Sequence, residues 1–420
     1  MIVKQQATTT PHRRSYLAAA LGAAAAVLDA AGYARAAGAG ERLGIGAIGC
    51  GGRGTHHLRT LVAMRDGGEK IDLTAVCDTY RPRREAAAKI AGAGFATPRH
   101  EELVARKDVD VVLVATPDHW HGAQTLDAIR AGKDVYCEKP LCHWRQLGLP
   151  EKLVATAAET GRIVQVGCQR MGGTAYSQAR ALVAEGAIGK PIMAETGYYR
   201  IGDWGERGMP IDDPKAVPGP DLDWERFQGD APRRDFEVSR YFRWRMYWDY
   251  SGGPGTDNYV HFYTPLAYVL DLGWPETVVA TGGKYRYEER EVPDTFNLIA
   301  DYPGSFSVLC SGTQGNDFQS MGSGDSPIVR GWDGTLTFEG AEIVVRPTGG
   351  SPKQERRVRI EAGWTEPAFW KELLDCARTR KQPRSGIALG ASVATTLQMA
   401  ILALRERRYV RFDGASKKVI

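Results

Sequence analysis

The chain has no paired-cysteine spacing. Its seven cysteines, Cys50, Cys77, Cys137, Cys142, Cys168, Cys310 and Cys376, are odd in number, and no two form a C-x-x-C. That leaves a structural zinc site without its usual ligand spacing and speaks against a disulfide framework, so they read as small buried hydrophobes. Excess charge is scarce as well. Of the formal +4, residues 1–36 hold Lys4, Arg13, Arg14 and Arg35 against Asp29, so the remainder carries only +1. Nothing there resembles the concentrated basic face that nucleic acid requires. No repeat with a period of 20–50 residues is present, which excludes a solenoid or propeller.

The N-terminus, PHRRSYLAAALGAAAAVLDAAGYARA, places Arg13 and Arg14 ahead of an apolar run from Leu17 to Leu28 that Asp29 ends. A run this short cannot cross a hydrocarbon core needing about 20 residues, so it reads as a cleavable leader and not a stable membrane anchor. Ala34 and Ala36 fit a peptidase site, which puts the mature start near Ala37. Twin arginines indicate the export route that moves folded proteins. The expectation is a periplasmic or otherwise exported protein that uses the Tat machinery.

From Leu43 to about Val166, short runs rich in Val and Ile (LGIGAIG, IDLTAVC, VDVVLVAT, KDVYCEK, GRIVQVG) alternate with helical stretches. This is the pattern of a parallel sheet buried on both faces. Later runs, PIMAETGYYR, DTFNLIADY and SFSVLCSG, lengthen and alternate, as antiparallel strands do. The expected fold is α/β: an N-terminal doubly wound Rossmann sheet, then an α/β domain with a large, open, mostly antiparallel sheet. The boundaries expected are a leader at 1–36, a dinucleotide-binding domain at 37–165, a substrate domain at 166–385, and a C-terminal helix and tail at 386–420 that pack back on the core. Residues 201–235, rich in Gly, Pro, Asp and Arg, read as a long surface excursion with a functional role.

The run Gly49-Cys50-Gly51-Gly52-Arg53-Gly54 satisfies G-x-G-x-x-G between a strand and a helix. Its first glycine permits the turn, the second admits the pyrophosphate, and the third allows close helix packing. Asp78 ends the next strand and suits the ribose hydroxyls of NAD, while Arg81, Arg83 and Arg84 leave NADP open. Thr116, Pro117, His119 and His121 follow a third strand and border the same crevice. The two histidines lack further ligands nearby, so no metal is expected. Glu138-Lys139-Pro140 comes next, and a lysine at a strand end against a nicotinamide suits proton transfer. Far downstream, Asp257 and His261 stand four apart. On a continuous helix they would share a face, with the carboxylate orienting a histidine base. Just before them the aromatics Tyr241, Phe242, Trp244, Tyr247, Trp248 and Tyr250 form either core or a platform for sugar rings. Arg170 and Arg243 or Arg245 are candidates for binding hydroxyls or a carboxylate.

In this order, the glycine loop, TPDHWH, AGKDVYCEKP, GRIVQVGCQR, GGPGTDNYVH and ELLDCARTRKQP resemble the Gfo/Idh/MocA family of glucose-fructose oxidoreductase and inositol dehydrogenase. The resemblance implies NAD(P), sugar or polyol substrates, and proton handling shared by Lys139 and His261 with Asp257 beside them. Glu138 and Gln169 join the expected cofactor contacts, and Arg170, Trp248, Tyr259 and Tyr263 are the expected substrate contacts. The chain departs from the family pattern D-x-G-x-H-x-x-D at Tyr259, where glycine is usual, and at Thr264, where an acid is usual. A bulky Tyr259 is expected to narrow the pocket.

The leading expectation is an exported oxidoreductase acting on a secondary alcohol with a tightly bound, internally recycled cofactor. The alternative is an NAD-dependent glycosidase or glycoside lyase that oxidises ring C3 transiently, eliminates the aglycone and returns the hydride. A non-catalytic carbohydrate-binding protein is opposed by the intact Glu138-Lys139 and His261. The resemblance also implies a homo-oligomer.

Overall fold

The computed structural model describes residues 42–420 apart from Met321 and Asp325; the leader and its cleavage site lie outside the described residues. The first sheet is wholly parallel and reads β3-β2-β1-β4-β5-β6 across, with β1 Leu43–Ile48, β2 Ile71–Cys77, β3 Phe95–Thr97, β4 Val111–Val114, β5 Asp134–Glu138 and β6 Val164–Gly167. Every residue of β4, β5 and β6 is buried, because helices cover both faces. These helices are α1 Gly52–Asp66, α2 Arg81–Ala91, α3 His100–Val104, α4 Asp118–Arg130 and α5 Leu149–Thr160. The strand order reverses between β1 and β4, so their carboxyl ends open the crevice where a nucleotide fits.

After α6, Ala175–Ala184, the chain builds an 11-stranded sheet. Its centre is β7 Pro191–Ile201, paired in parallel with β10 Phe306–Thr313; β8 Thr277–Gly283 and β9 Thr295–Tyr302 continue on one side with antiparallel pairing. Along β10, burial alternates residue by residue, with Phe306, Val308 and Cys310 turned inward. The strand pattern read from the sequence therefore reports a one-sided sheet. All seven cysteines are free and buried.

One helix near the C-terminus, Ile387–Glu406, is long and apolar enough by length and composition to cross a membrane. Most of it is buried in this fold, where it belongs to the cores of both domains. Just before it, Ser385 is fastened to β6: its carbonyl accepts from the Val166 amide at 2.8 Å and its hydroxyl donates to the Val166 carbonyl at 2.7 Å.

The excursion after β7 is longer than its Gly/Pro-rich start suggests, and it runs back over the first domain. Arg81 and Thr79 exchange backbone hydrogen bonds with Asp221 and Asp223 at 2.8 and 3.1 Å. The side chains of His119 and Trp120 both reach the Phe227 carbonyl, at 2.7 and 2.8 Å. Its aromatics form a core of their own, in which Trp224, Phe227, Tyr241, Phe242, Tyr247 and Tyr250 enclose Tyr80 of the first domain. At its root the fully buried Arg290 meets Asp203 at 2.6 Å and Glu206 at 3.3 Å. Removing one member of such a buried group leaves an uncompensated charge that costs about 3–5 kcal/mol, so this end of the excursion, a strap laid over the first domain, is firmly held.

Candidate active site

The glycine loop leaves no room for side chains where it turns. Gly49 has φ +88°, and a Cβ there would lie 2.6 Å from the Ala115 backbone; a Cβ on Gly54 would lie 1.8 Å from the Gly49 carbonyl oxygen. The first turn of α1 is thereby pressed against the loop, and its free amides and positive dipole end open on the crevice. Cys50 lies behind the loop, where its amide donates to Asp78 Oδ2 at 2.7 Å. The Tyr80 amide donates to Oδ1 at 2.8 Å, so the Asp78 carboxylate is fixed at the loop's rim.

A single cavity runs from this loop to the second domain. Gly49, Gly51, Gly52, Arg53, Asp78, Thr116, Pro117, His121, Glu138, Lys139, Gln169 and His261 line it, and so do Arg83, Trp204, Trp244 and Arg245. Most of the residues expected to hold the cofactor are therefore brought together. His119 is an exception: its ring packs on Phe227 and Tyr250 and secures the strap outside the cavity. Burial pushes its imidazole down to about 4. His121 lies between the Thr116 and Pro140 carbonyls, both at 2.7 Å, and neither histidine is in metal-binding company. Among the described residues no group of three or more His, Cys, Asp or Glu is arranged to hold a metal.

Glu138 is a hub that aims other groups. Its carboxylate accepts from Arg53 at 2.7 Å, Gln169 at 2.9 Å and the Lys139 amide at 3.1 Å, with His57 at 2.7 Å. Burial opposes its charge, but Arg53 and then His57 more than offset that and hold it well below the usual carboxylate range. Sequence reasoning missed His57, which sits in α1 with nothing around it to mark a role.

The Lys139 amine donates to the carbonyl and to the carboxylate of Asp257, at 2.6 and 2.7 Å. Arg245 Nε donates to the same carboxylate oxygen at 3.0 Å. Here the structure corrects the expectation of a helical Asp257–His261 pair. The segment breaks at Asn258 and Tyr259 into two helices, Pro254–Asp257 and Val260–Leu270, and Asp257 turns to the two cations. Asp257 is not among the residues lining the cavity; its carboxylate is engaged by the two cations behind it. Burial opposes its charge, yet Arg245 and Lys139 keep it ionised well below the ordinary range. His261 does line the cavity. Burial, then the Lys139 charge, pushes its imidazole down to about 3, so it is neutral at physiological pH.

Four expected substrate contacts lie elsewhere. The Arg170 guanidinium stacks over Phe262 at 4.7 Å, and Trp248 packs edge-on against Trp144 with Arg405 over its face. The Tyr259 hydroxyl donates to the Phe296 carbonyl at 2.5 Å in the core, and Tyr263 meets the Tyr302 hydroxyl at 2.9 Å. Tyr259 therefore fills core and does not narrow the cavity.

Asp118, at the start of α4, escaped notice in the sequence because P-D-H is an ordinary helix opening. It is almost wholly buried, accepts from Ser251 Oγ at 3.0 Å, and its other oxygen has no partner among the described residues. Burial, then the nearby Asp257 charge, pushes its carboxyl up to about 7. The native chain thus keeps a proton that the unfolded chain releases near the ordinary aspartate value. This group's contribution to stability is greatest in acid and is lost as pH rises toward 7. Thermal melting of Asp118→Asn from pH 5 to 8 is expected to show the variant gaining on the wild type as pH rises. A constant difference would contradict the assignment.

A Rossmann sheet, a glycine-loop crevice and a half-buried lysine and histidine at its far end define a dinucleotide-dependent oxidoreductase architecture. Family models agree: residues 43–168 match the NAD-binding Rossmann fold of the GFO_IDH_MocA oxidoreductase family, and residues 172–298 match the family's C-terminal alpha/beta domain. The chain belongs to the Gfo/Idh/MocA family. It is 38% identical over 151 residues to inositol 2-dehydrogenase 3 of Saccharopolyspora erythraea, covering 36% of this chain and 43% of that one. It is 39% identical over 128 residues to 1,5-anhydro-D-fructose reductase of Ensifer adhaerens, covering 30% and 37%. These matches span less than half the length of either relative. The fold is similar to a levoglucosan dehydrogenase solved with NADH and levoglucosan, with TM-score 0.64 and 17% identity over 88% of this chain and 99% of that one. It is equally similar to an aldose-aldose oxidoreductase from Caulobacter crescentus, with TM-score 0.64 and 20% identity over 89% and 100%.

Proposed function

We propose that this chain oxidises a secondary alcohol of a sugar or polyol, using an NAD that stays in its crevice between turnovers. The observation that carries the reading is one continuous cavity joining the glycine loop and Asp78 to Lys139, Arg245 and a neutral His261. The cradle fits the cofactor, because a Cβ at Gly49 or Gly54 would meet backbone where the loop must turn. Gly49, Gly51, Gly52 and the α1 N-terminus would hold the diphosphate, and Asp78 the ribose hydroxyls. Bound there, NAD supplies the hydride acceptor.

The chain's own residues handle the proton and the charge. Neutral His261 takes the hydroxyl proton as the carbinol C–H gives up hydride and the carbonyl forms. Lys139, held by Asp257, donates to the same oxygen and stabilises its developing negative charge. Trp204 and Trp244 line the same cavity, each with a guanidinium over one face, and add aromatic surface suited to the apolar side of a sugar ring. Inositol, 1,5-anhydro-D-fructose and levoglucosan, named for the relatives, support a polyol or sugar class.

The strap across the nucleotide end supports retention of the cofactor, and the Arg13-Arg14 leader supports export, where no NAD pool exists for exchange. Export, a homo-oligomeric state and the choice of sugar all belong to this proposal. A retained cofactor must be reset in each cycle, either by reducing a second carbonyl compound or by returning the hydride after glycoside cleavage.

The test uses protein purified with its own nucleotide, mixed with a panel of sugars, polyols and aryl glycosides, with absorbance at 340 nm and aglycone release followed together. A stoichiometric rise that stalls until a ketone is added is expected. Repeated aglycone release without net absorbance change would replace the oxidoreductase reading with the redox-neutral one.

A further inference from the structure

Three arginines follow Asp78 at the nucleotide end of the cavity, and each is already engaged. Arg81 Nη2 donates to Asp221 at 2.9 Å, Arg84 Nη1 to the Asp78 carbonyl at 2.7 Å, and Arg83 to both oxygens of Asp212 at 2.6 and 3.1 Å. Asp212 and Asp221 both come from the strap. Of the three arginines only Arg83 lines the cavity, and a Cβ on Gly51 would lie 3.2 Å from its Nη1. Its guanidinium also sits 5.2 Å over the Phe242 ring, which fixes its plane.

We infer that Asp212 is a specificity-determining residue: by holding Arg83 in a two-pronged ion pair it makes the pocket select NAD and reject NADP. A ribose 2′-phosphate is held in Rossmann sites by a nearby arginine, while a carboxylate takes the free hydroxyl. In this pocket the carboxylate Asp78 stands at the loop's rim. The arginine that would welcome a phosphate spends Nε and Nη2 on Asp212, leaving Nη1 toward the loop. A dianionic phosphate entering there meets the Asp78 and Asp212 carboxylates, a cavity-lining guanidinium that Asp212 already matches, and an Arg84 committed to the Asp78 carbonyl. Neutral hydroxyls meet no such repulsion. The pair is partly shielded, with 22% and 33% of the two side chains exposed, so salt screens it incompletely. Arg81 and Asp221, each 51% exposed, are too solvated to contribute comparably.

The inference rests on reading this cavity as the nicotinamide-nucleotide site, and its test keeps the two separable. Purified full-length chain is stripped of its own nucleotide in denaturant, refolded with equal concentrations of NAD and NADP, desalted, and heated to release bound nucleotide for quantification by mass. Wild type is expected to release NAD almost alone. Asp212→Asn should shift the NADP-to-NAD ratio upward by about 10- to 100-fold, the worth of one freed charge-assisted bidentate contact. Adding Arg83→Ala to Asp212→Asn should abolish that gain, and Asp221→Asn alone should leave the ratio unchanged.

The backbone bonds of Arg81 and Asp223 involve none of the substituted side chains and should hold the strap in every variant, with circular dichroism as the check on folding. Wild type releasing both nucleotides equally, or Asp212→Asn releasing no more NADP than wild type, overturns the Asp212 assignment. Loss of both nucleotides from Asp212→Asn also overturns it, since Asp212 would then merely fasten the strap. Folded wild type releasing neither nucleotide overturns the cofactor reading itself.

Discussion

Lys139→Met is expected to lower turnover by about a thousandfold while the nucleotide stays bound, within the range that a positioned acid–base or charge-stabilising group commands. The variant keeps the length of the side chain and removes an ammonium that lines the cavity and pairs with Asp257. Asp257 remains countered by Arg245 at 3.0 Å, so the buried carboxylate is not orphaned and the fold should survive. Single-turnover absorbance with the best panel substrate, together with heat-released nucleotide, is the check. Unchanged turnover would remove Lys139 from the mechanism. Loss of nucleotide with unchanged residual rate per bound cofactor would make it a binding residue only.

His261→Ala is expected to cost about 10²- to 10³-fold in turnover, and its effect should carry a pH dependence that Lys139→Met does not share. Burial and the Lys139 charge push the wild-type imidazole down to about 3, so it is unprotonated throughout the neutral range. Wild-type rate attributable to this group should therefore hold from pH 8 down past pH 5, then fall as pH approaches 3, with no limb near 6.5. An acidic limb centred near the ordinary histidine value would mean that His261 is solvated in the working enzyme. The same burial also affects stability. The unfolded chain binds a proton at this histidine below about 6.5 and the native chain does not, so its contribution to stability is lost as pH falls from 6.5 toward 3.

The first domain was legible because its physics is local. Strands buried on both faces must be continuously apolar, as VVLV in β4 is, and a loop pressed between helix and strand must be glycine at Gly49 and Gly54. The relation between Asp257 and His261 was not legible, because four-residue spacing predicts a shared face only on an unbroken helix. The break at Asn258–Tyr259 follows from tertiary demands: Tyr259 reaches the Phe296 carbonyl in the core, and Asp257 is drawn to Lys139 and Arg245. Nothing local distinguishes a tyrosine that fills core from one that lines a pocket, which is why Tyr259 and Tyr263 read as substrate contacts. Asp118 and His57 matter through distant partners, among them Ser251 and Glu138, 133 and 81 residues away in sequence. The strap was visible as a Gly/Pro-rich excursion with aromatics after it, but its docking on Tyr80 depends on long-range packing that no periodicity encodes.

The central claim is that a substrate carbon gives its hydride to the bound nicotinamide inside this cavity. The most direct measurement uses the active panel substrate deuterated at its carbinol carbon, one turnover on protein carrying its own nucleotide, and the mass of the nucleotide released on denaturation. The account predicts reduced NAD heavier by one deuterium in proportion to the sites turned over, and no such transfer in Lys139→Met. Product formed while the nucleotide stays unlabelled and oxidised throughout the turnover would contradict it.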